Sequence, residues 1–278
     1  MSTFSDIADG YKRLQRGTPD YGLIYTCNAG WMDLGHMSPY SKDPHVGAQN
    51  LWKQMSAGGP DARLSFWYDY PPAFKAAGYP SHVLKAMKED KIARIPDGAR
   101  GFKVTFKMSQ PVTGGVVKSF LVRHRLPEPR IKSVALAIFL IMSLEFEEHQ
   151  IGLELPLVNW LSKKLRDKPY DSGYSQEDLV SNLIGFYVGI GQITRQAAIQ
   201  ACRPVSREAA ERIWHSRGAV GQNKNKTFQP DLSADTGFDD PVKKMCMDEC
   251  AGQARAFPML FQTIQPAAYS KDFVMLWN

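Results

Sequence analysis

Val134 to Met142 is apolar without a break, and Glu145, Glu147, Glu148, His149 and Gln150 follow within the next eight positions. No other stretch restricts the fold as strongly. An unbroken apolar run of this length fits a helix buried on every side. Pro127 and Pro129 stand at its start and Pro156 just past its end, where helices tolerate proline. Arg130 to Gly152 is therefore predicted to be one central buried helix that carries an acidic cluster into a site. The nine apolar residues are about half of the roughly 20 needed to cross a bilayer, so no membrane span is predicted.

A helix C-terminus carries partial negative charge, which makes glutamates there mildly unfavourable. Three of them within four positions need a reason. Projected at about 100° per residue, Glu147 falls on the stripe of Leu136, Leu140, Leu144 and Ile151. A carboxyl held there is desolvated, its pKa rises, and it can serve as a general acid. Glu145 and His149 are one turn apart and can pair or share a metal. The plain alternative is that the helix emerges into water and the charges are its wet end.

Two other stretches carry chemistry. In Tyr25 to His36 (Y-T-C-N-A-G-W-M-D-L-G-H), Cys27 sits where a strand gives way to a turn or helix. A helix N-terminus there would activate the thiol as a nucleophile, with His36 as base. Asp33 and His36, three apart, can orient one another or share a metal. In Ser175 to Asn182 (S-Q-E-D-L-V-S-N), Asp178, Ser181 and Asn182 fall on one side of the first helical turns. They can supply oxygen ligands or hydrogen bonds to a substrate. Taken alone, each of these segments is better explained structurally: a buried cysteine with a satisfied histidine in the first, capping plus a polar face in the second. Cys246 and Cys250 lack a further histidine or cysteine at zinc-finger spacing and read as structural. The P-loop, G-x-S-x-G and H-E-x-x-H patterns are absent from the sequence, so it carries no signature of nucleotide binding, serine hydrolases or zincins.

The remaining elements follow from periodicity. Residues 1–20 read as a short helix or lead-in, and Tyr21 to Cys27 as a strand. Trp31 to His36 is predicted as a short helix or tight loop, and His45 to Ala57 as a helix. Gly101 to Gln110 alternates Phe102, Val104, Phe106 and Met108 against polar residues, a half-buried strand. Val116 to Arg125 pairs with it across Gly114-Gly115. Strands are further predicted at 64–70 and helices at 81–91, 157–165, 175–191, 207–216 and 241–255, with a loop at 167–173 and a long one at 216–241. The expected fold class is α+β: mostly helical, with a small antiparallel sheet or hairpin from the first half, around one central buried helix, in a single domain of residues 1–278.

The formal charge is +6, with 34 basic and 28 acidic residues interspersed. That suits an anionic polymer, but the absence of like-charge runs speaks against a nucleic-acid partner. The first residues show no basic region followed by an apolar run, so the expected location is cytoplasmic, or exported without a signal peptide.

Taken together, Y-T-C-N-A-G-W-M-D-L-G-H (25–36), the helix S-V-A-L-A-I-F-L-I-M-S-L-E-F-E-E-H-Q (133–150) and Y-S-Q-E-D-L-V-S-N-L-I-G (174–185) resemble a family of uncharacterised bacterial proteins. In that family a cysteine–aspartate–histidine segment precedes a glutamate-bearing helix and an E-D-L-x-S-N segment. The resemblance implies that the three segments share one site. It singles out Cys27, Asp33, His36, Glu147, Glu177, Asp178, Ser181 and Asn182.

Four functional readings stay open at this stage. The leading one is a hydrolase acting on a polysaccharide such as peptidoglycan, with Glu147 or Glu148 as general acid and Asp178 or Glu177 assisting. Asp33, Glu177, Ser181 and Asn182 would then bind substrate, and a cognate inhibitor protein would be expected if the chain is a secreted toxin. The second is a hydrolase that uses a divalent metal ion held by His36, Glu147 and His149. The third is a cysteine amidase using Cys27 and His36, and the fourth a binding module without catalysis.

Overall fold

The computed structural model describes residues 2–58, 101–110, 114–152, 173–232, 241–250 and 254–276. The elements expected at 64–70, 81–91 and 157–165, and most of the 167–173 loop, lie outside the described residues. In chain order the elements are α1 (Phe4–Gln15), β1 (Leu23–Thr26), β2 (Gly30–Asp33), α2 (Ala48–Ala57), β3 (Gly101–Gln110), β4 (Gly114–Arg123), α3 (Glu128–Gly152), α4 (Asp178–Gly189), α5 (Arg195–Cys202), α6 (Arg207–Arg217), α7 (Pro241–Asp248) and β5 (Phe273–Leu276). Short 3-10 turns occur at Val220–Gln222 and Met259–Gln262. The fold is α+β, with antiparallel sheets ordered β1-β2 and β3-β4-β5. Among the described residues no helix is long and apolar enough to cross a membrane.

The chain, read above as one domain, divides into two compact units. One comprises Met1–Pro39 with Ser143–Thr263, the other Tyr40–Met142 with Ile264–Asn278.

The second unit is built on the β3–β4 ladder, in register from Gly101↔Arg123 to Gln110↔Gly114. The alternation in β3 does what its pattern requires: Phe102, Val104 and Phe106 are buried. Phe106 meets Phe139 of α3, with ring centroids 5.8 Å apart. Burying each such side chain is worth about 1.5–3 kcal/mol. Gln54 of α2 covers the free edge of β3, accepting from the Thr105 N–H at 3.0 Å and donating to its carbonyl at 2.9 Å. Asp272 ties β4 to the start of α3, accepting from Arg123 Nε at 3.2 Å and from Arg130 Nε. The β5 strand had no periodic signal in its four residues.

The first unit is built on α1 and the β1–β2 hairpin. Gly10 lets α1 lie directly on β1, because a Cβ there would stand 2.5 Å from the Leu23 carbonyl oxygen. Gly22, at φ +101°, leaves equally little room: its Cβ would meet the Gly10 nitrogen at 2.3 Å. The segment 31–36 corrects the expectation of a helix or loop. Gly30 to Asp33 is a strand, paired Leu23↔Asp33, Tyr25↔Trp31 and Thr26↔Gly30. Gly30 takes φ +66°, Trp31 is a β-forming side chain, and Trp31 and Met32 both become buried. An aromatic chain runs from Tyr25 through Trp31 to Trp214 of α6 and on to Phe4 of α1.

α4 begins at Asp178, three residues later than Ser175 suggests. The Ser175 N–H does reach Asp178 Oδ2, at 3.1 Å, as half of a capping box. Every residue of α4 is buried. α5 lacked a readable apolar stripe, and it is capped by Thr194, whose hydroxyl accepts from the Ala197 N–H at 3.2 Å.

Candidate functional site

The helix α3 turns its last two turns so that Glu147 is fully buried, Glu148 is exposed and Glu145 and His149 are half-buried. Periodicity alone selects Glu147 among the three glutamates, and the fold agrees. Glu147 Oε2 accepts from the Tyr174 N–H at 2.8 Å. Tyr174 holds φ +57° to present that N–H, a conformation that costs a non-glycine residue on the order of 1 kcal/mol. The other carboxyl oxygen, Oε1, has no hydrogen-bond partner among the described residues.

The turn after β2 brings in Asp33 and His36. Asp33 Oδ1 shapes the turn by accepting from the N–H groups of Gly35 (2.6 Å) and His36 (3.1 Å). The Asp33 N–H donates to Ser181 Oγ of α4 at 2.9 Å. Gly185 lets the turn press onto α4, since a Cβ there would lie 3.0 Å from the Met37 carbonyl oxygen and 3.1 Å from that of His36. His36 Nδ1 then stands 2.9 Å from Asp178 Oδ1 and 3.8 Å from Asp33 Oδ2.

Glu177, next to Asp178, is fully buried and completes the cluster. Its Oε1 accepts from the Ser2 hydroxyl at 2.9 Å, and that hydroxyl also lies 3.2 Å from Asp33 Oδ2. Glu177 Oε2 has no hydrogen-bond partner among the described residues. Ser2 leads into α1, whose entry is fixed by Asp6 Oδ2 accepting from the Thr3 N–H at 2.6 Å. No sequence signal marks Ser2, because its partners lie 31 and 175 residues away.

Three carboxyls, Asp178, Asp33 and Glu147, thus act on one imidazole, and Glu177 joins the cluster through Asp178 and Asp33. Asp33 and His36 are the most exposed members of the cluster, with about a fifth of each side chain reaching water; Asp178 is 6% exposed. Burial by itself would discharge the His36 ring, but Asp178 and then Asp33 beside it prevail and push its pKa up to about 10. Burial, reinforced by the Asp178 charge, raises Glu147 to about 7 and Glu177 to about 8. At neutral pH the cluster therefore combines carboxyls with a proton to give and a charged imidazolium–carboxylate pair. Groups pushed apart in this way are the usual arrangement for proton transfer.

The structure assembles Asp33, His36, Glu147, Glu177, Asp178 and Ser181, so the three segments do meet. Ser181 serves as the hydrogen-bond acceptor that positions Asp33. Several expectations are corrected. Cys27 is not a free nucleophile: its sulfur is bonded to Cys250, with Cα atoms 6.2 Å apart, and a disulfide sulfur carries no thiolate. Glu148 is on the exposed side of α3, roughly 100° around the helix from Glu147. Among the described residues no three His, Cys, Asp or Glu side chains converge to hold a metal ion, so the set His36, Glu147 and His149 is not assembled. Asn182 is buried in α4, and its Nδ2 has no hydrogen-bond partner among the described residues. No protein-family model, curated protein or solved structure matches the chain.

Proposed function

We propose that the chain is a hydrolase of the general acid–base type acting on a polysaccharide such as peptidoglycan. The observation that carries the reading is the pairing of two fully buried glutamates, each with one unsatisfied carboxyl oxygen, with the His36–Asp178 contact at 2.9 Å. A structural acid cluster would satisfy its oxygens, since an unpaired buried acceptor costs about 1–3 kcal/mol. Glu147, desolvated and protonated near neutrality, is the acid that gives its proton to the leaving oxygen. Asp33, the carboxylate that water can reach, accepts the proton of the attacking water. His36 and Asp178 hold positive and negative charge in place through the step.

Two features support an anionic extracellular polymer as substrate: the net charge of +6 and the Cys27–Cys250 disulfide, which suits an oxidising compartment. The test is release of reducing ends from purified cell-wall sacculi. Wild type is expected to be active, Glu147→Gln to lose about 10²–10⁴-fold, and Glu148→Gln to lose much less, since Glu148 is exposed and reaches the cluster only through the Tyr174 side chain. Equal rates for wild type and Glu147→Gln, or no cleavage of any polysaccharide, would sink the proposal.

A further inference from the structure

Ser2 Oγ stands 2.9 Å from Glu177 Oε1 and 3.2 Å from Asp33 Oδ2. Both are hydrogen-bond distances, and both end on a carboxyl oxygen. A serine hydroxyl carries one hydrogen and two lone pairs. It can donate to either oxygen but not to both at once. With both carboxyls ionised, one of them would face a lone pair of Ser2 with no hydrogen between. The geometry is satisfied only when a second hydrogen sits on one of the two carboxyls.

The surroundings decide which. Asp33 Oδ1 already accepts from the N–H groups of Gly35 and His36. Its Oδ2 lies 3.8 Å from His36 Nδ1, and about a fifth of the side chain reaches water. Backbone donors, a nearby cation and water all favour the charged form. Glu177 has the opposite setting. Its side chain is fully buried, makes no capping bond at the start of α4, and leaves Oε2 without a hydrogen-bond partner among the described residues. Burial, then the charges of Asp178 and Asp33, push it up to about 8. The second hydrogen therefore belongs to Glu177.

Two arrangements follow. When Glu177 is ionised, the Ser2 hydroxyl donates to its Oε1. When Glu177 is protonated, its O–H donates to Ser2 Oγ, and the Ser2 hydrogen turns to Asp33 Oδ2. The second arrangement makes two hydrogen bonds where the first makes one. We propose that Ser2 is a positioning residue of this site: it takes the hydrogen of Glu177 and so aims its own at Asp33, holding that carboxylate in place as the base. The role of Asp33 as base rests on the hydrolase reading; the placement of the hydrogens rests on the geometry around Ser2.

The test is carbon-13 NMR of the side-chain carboxyls in the full, disulfide-bonded chain, titrated from about pH 5 to about pH 10. The Glu177 signal is identified by its loss in Glu177→Gln. Ser2→Ala, checked for folding by circular dichroism, should move the Glu177 titration down by about one pH unit, because the protonated state loses two hydrogen bonds and the ionised state one. Ser2→Thr keeps a hydroxyl and should restore the wild-type titration. A Ser2 that only donates to Glu177 gives an upward shift in Ser2→Ala, and a merely structural Ser2 gives none; either result overturns the proposal. Sacculus cleavage is the second readout. It should fall about tenfold in Ser2→Ala and recover in Ser2→Thr, and a folded Ser2→Ala that cleaves as wild type does overturns the positioning role. If wild type cleaves no polysaccharide, the hydrolase reading falls, while the sign of the Glu177 shift still decides where the hydrogens lie.

Discussion

Replacing Glu147 by glutamine should make the protein more stable at alkaline pH while lowering the proposed sacculus cleavage about 10²–10⁴-fold. The amide copies the shape of the protonated carboxyl and keeps an oxygen for the Tyr174 N–H, now at 2.8 Å from Oε2. What it removes is a charge that must form without water around it. Folding raises this carboxyl from 4.5 to about 7. The native state therefore binds the proton more tightly than the unfolded chain, and wild-type stability falls as pH climbs through that window. At about 1.36 kcal/mol per tenfold change in proton affinity, the ceiling on the penalty is about 3 kcal/mol. The loss of one acidic neighbour of His36 keeps the net gain below that ceiling. Denaturant unfolding of both proteins from pH 4 to pH 9 is the assay. The stability difference should be constant below about pH 4.5, rise toward pH 7, and level off above it. A difference that stays flat across the range would refute a desolvated, proton-holding Glu147. The remaining slope in Glu147→Gln belongs to Glu177, raised to about 8, and to His36, raised to about 10. Both also favour the native state at the acid end of their windows.

Further outcomes follow from other contacts. Asp178→Asn removes the negative charge beside His36 Nδ1, now 2.9 Å from Asp178 Oδ1; the ring should then titrate well below about 10 by proton NMR, and stability at pH 6 should drop by about 1–3 kcal/mol, less than for a fully buried pair because His36 is partly exposed. An unmoved His36 titration would show that Asp178 is not its main counter-charge. Gly10→Ala places a methyl 2.5 Å from the Leu23 carbonyl oxygen and should cost about 1–3 kcal/mol, seen as a lower thermal midpoint; an unchanged midpoint would mean that α1 is not pressed against β1. Replacing Cys27 and Cys250 by serine releases a link across 223 residues and should cost about 2–5 kcal/mol. Wild type in reducing buffer should unfold at the same denaturant concentration as that double variant, and a wild-type midpoint insensitive to reductant would contradict the bond's contribution.

Local periodicity determined a good deal by itself. The period of two in Phe102, Val104 and Phe106 placed β3, and the apolar run with its flanking prolines placed α3. The 100° spacing along α3 selected Glu147 over Glu148. These are properties of one element and one buried face, so adjacent residues suffice to reveal them. Where two residues compete for one place in space, the sequence is silent. Cys27 looked like a thiol at a strand end until the fold brought Cys250 to it from 223 residues away. The residues from Trp31 to Asp33 paired as a strand because β1 lay opposite, although their spacing suited a short helix or loop. Ser2 reached Glu177 and Asp33 only because two glycines let α1 lie against β1. Helix α3 supplies one buried carboxyl, Glu147. Its proton affinity depends on charges carried by other segments, and only tertiary structure sets their distances.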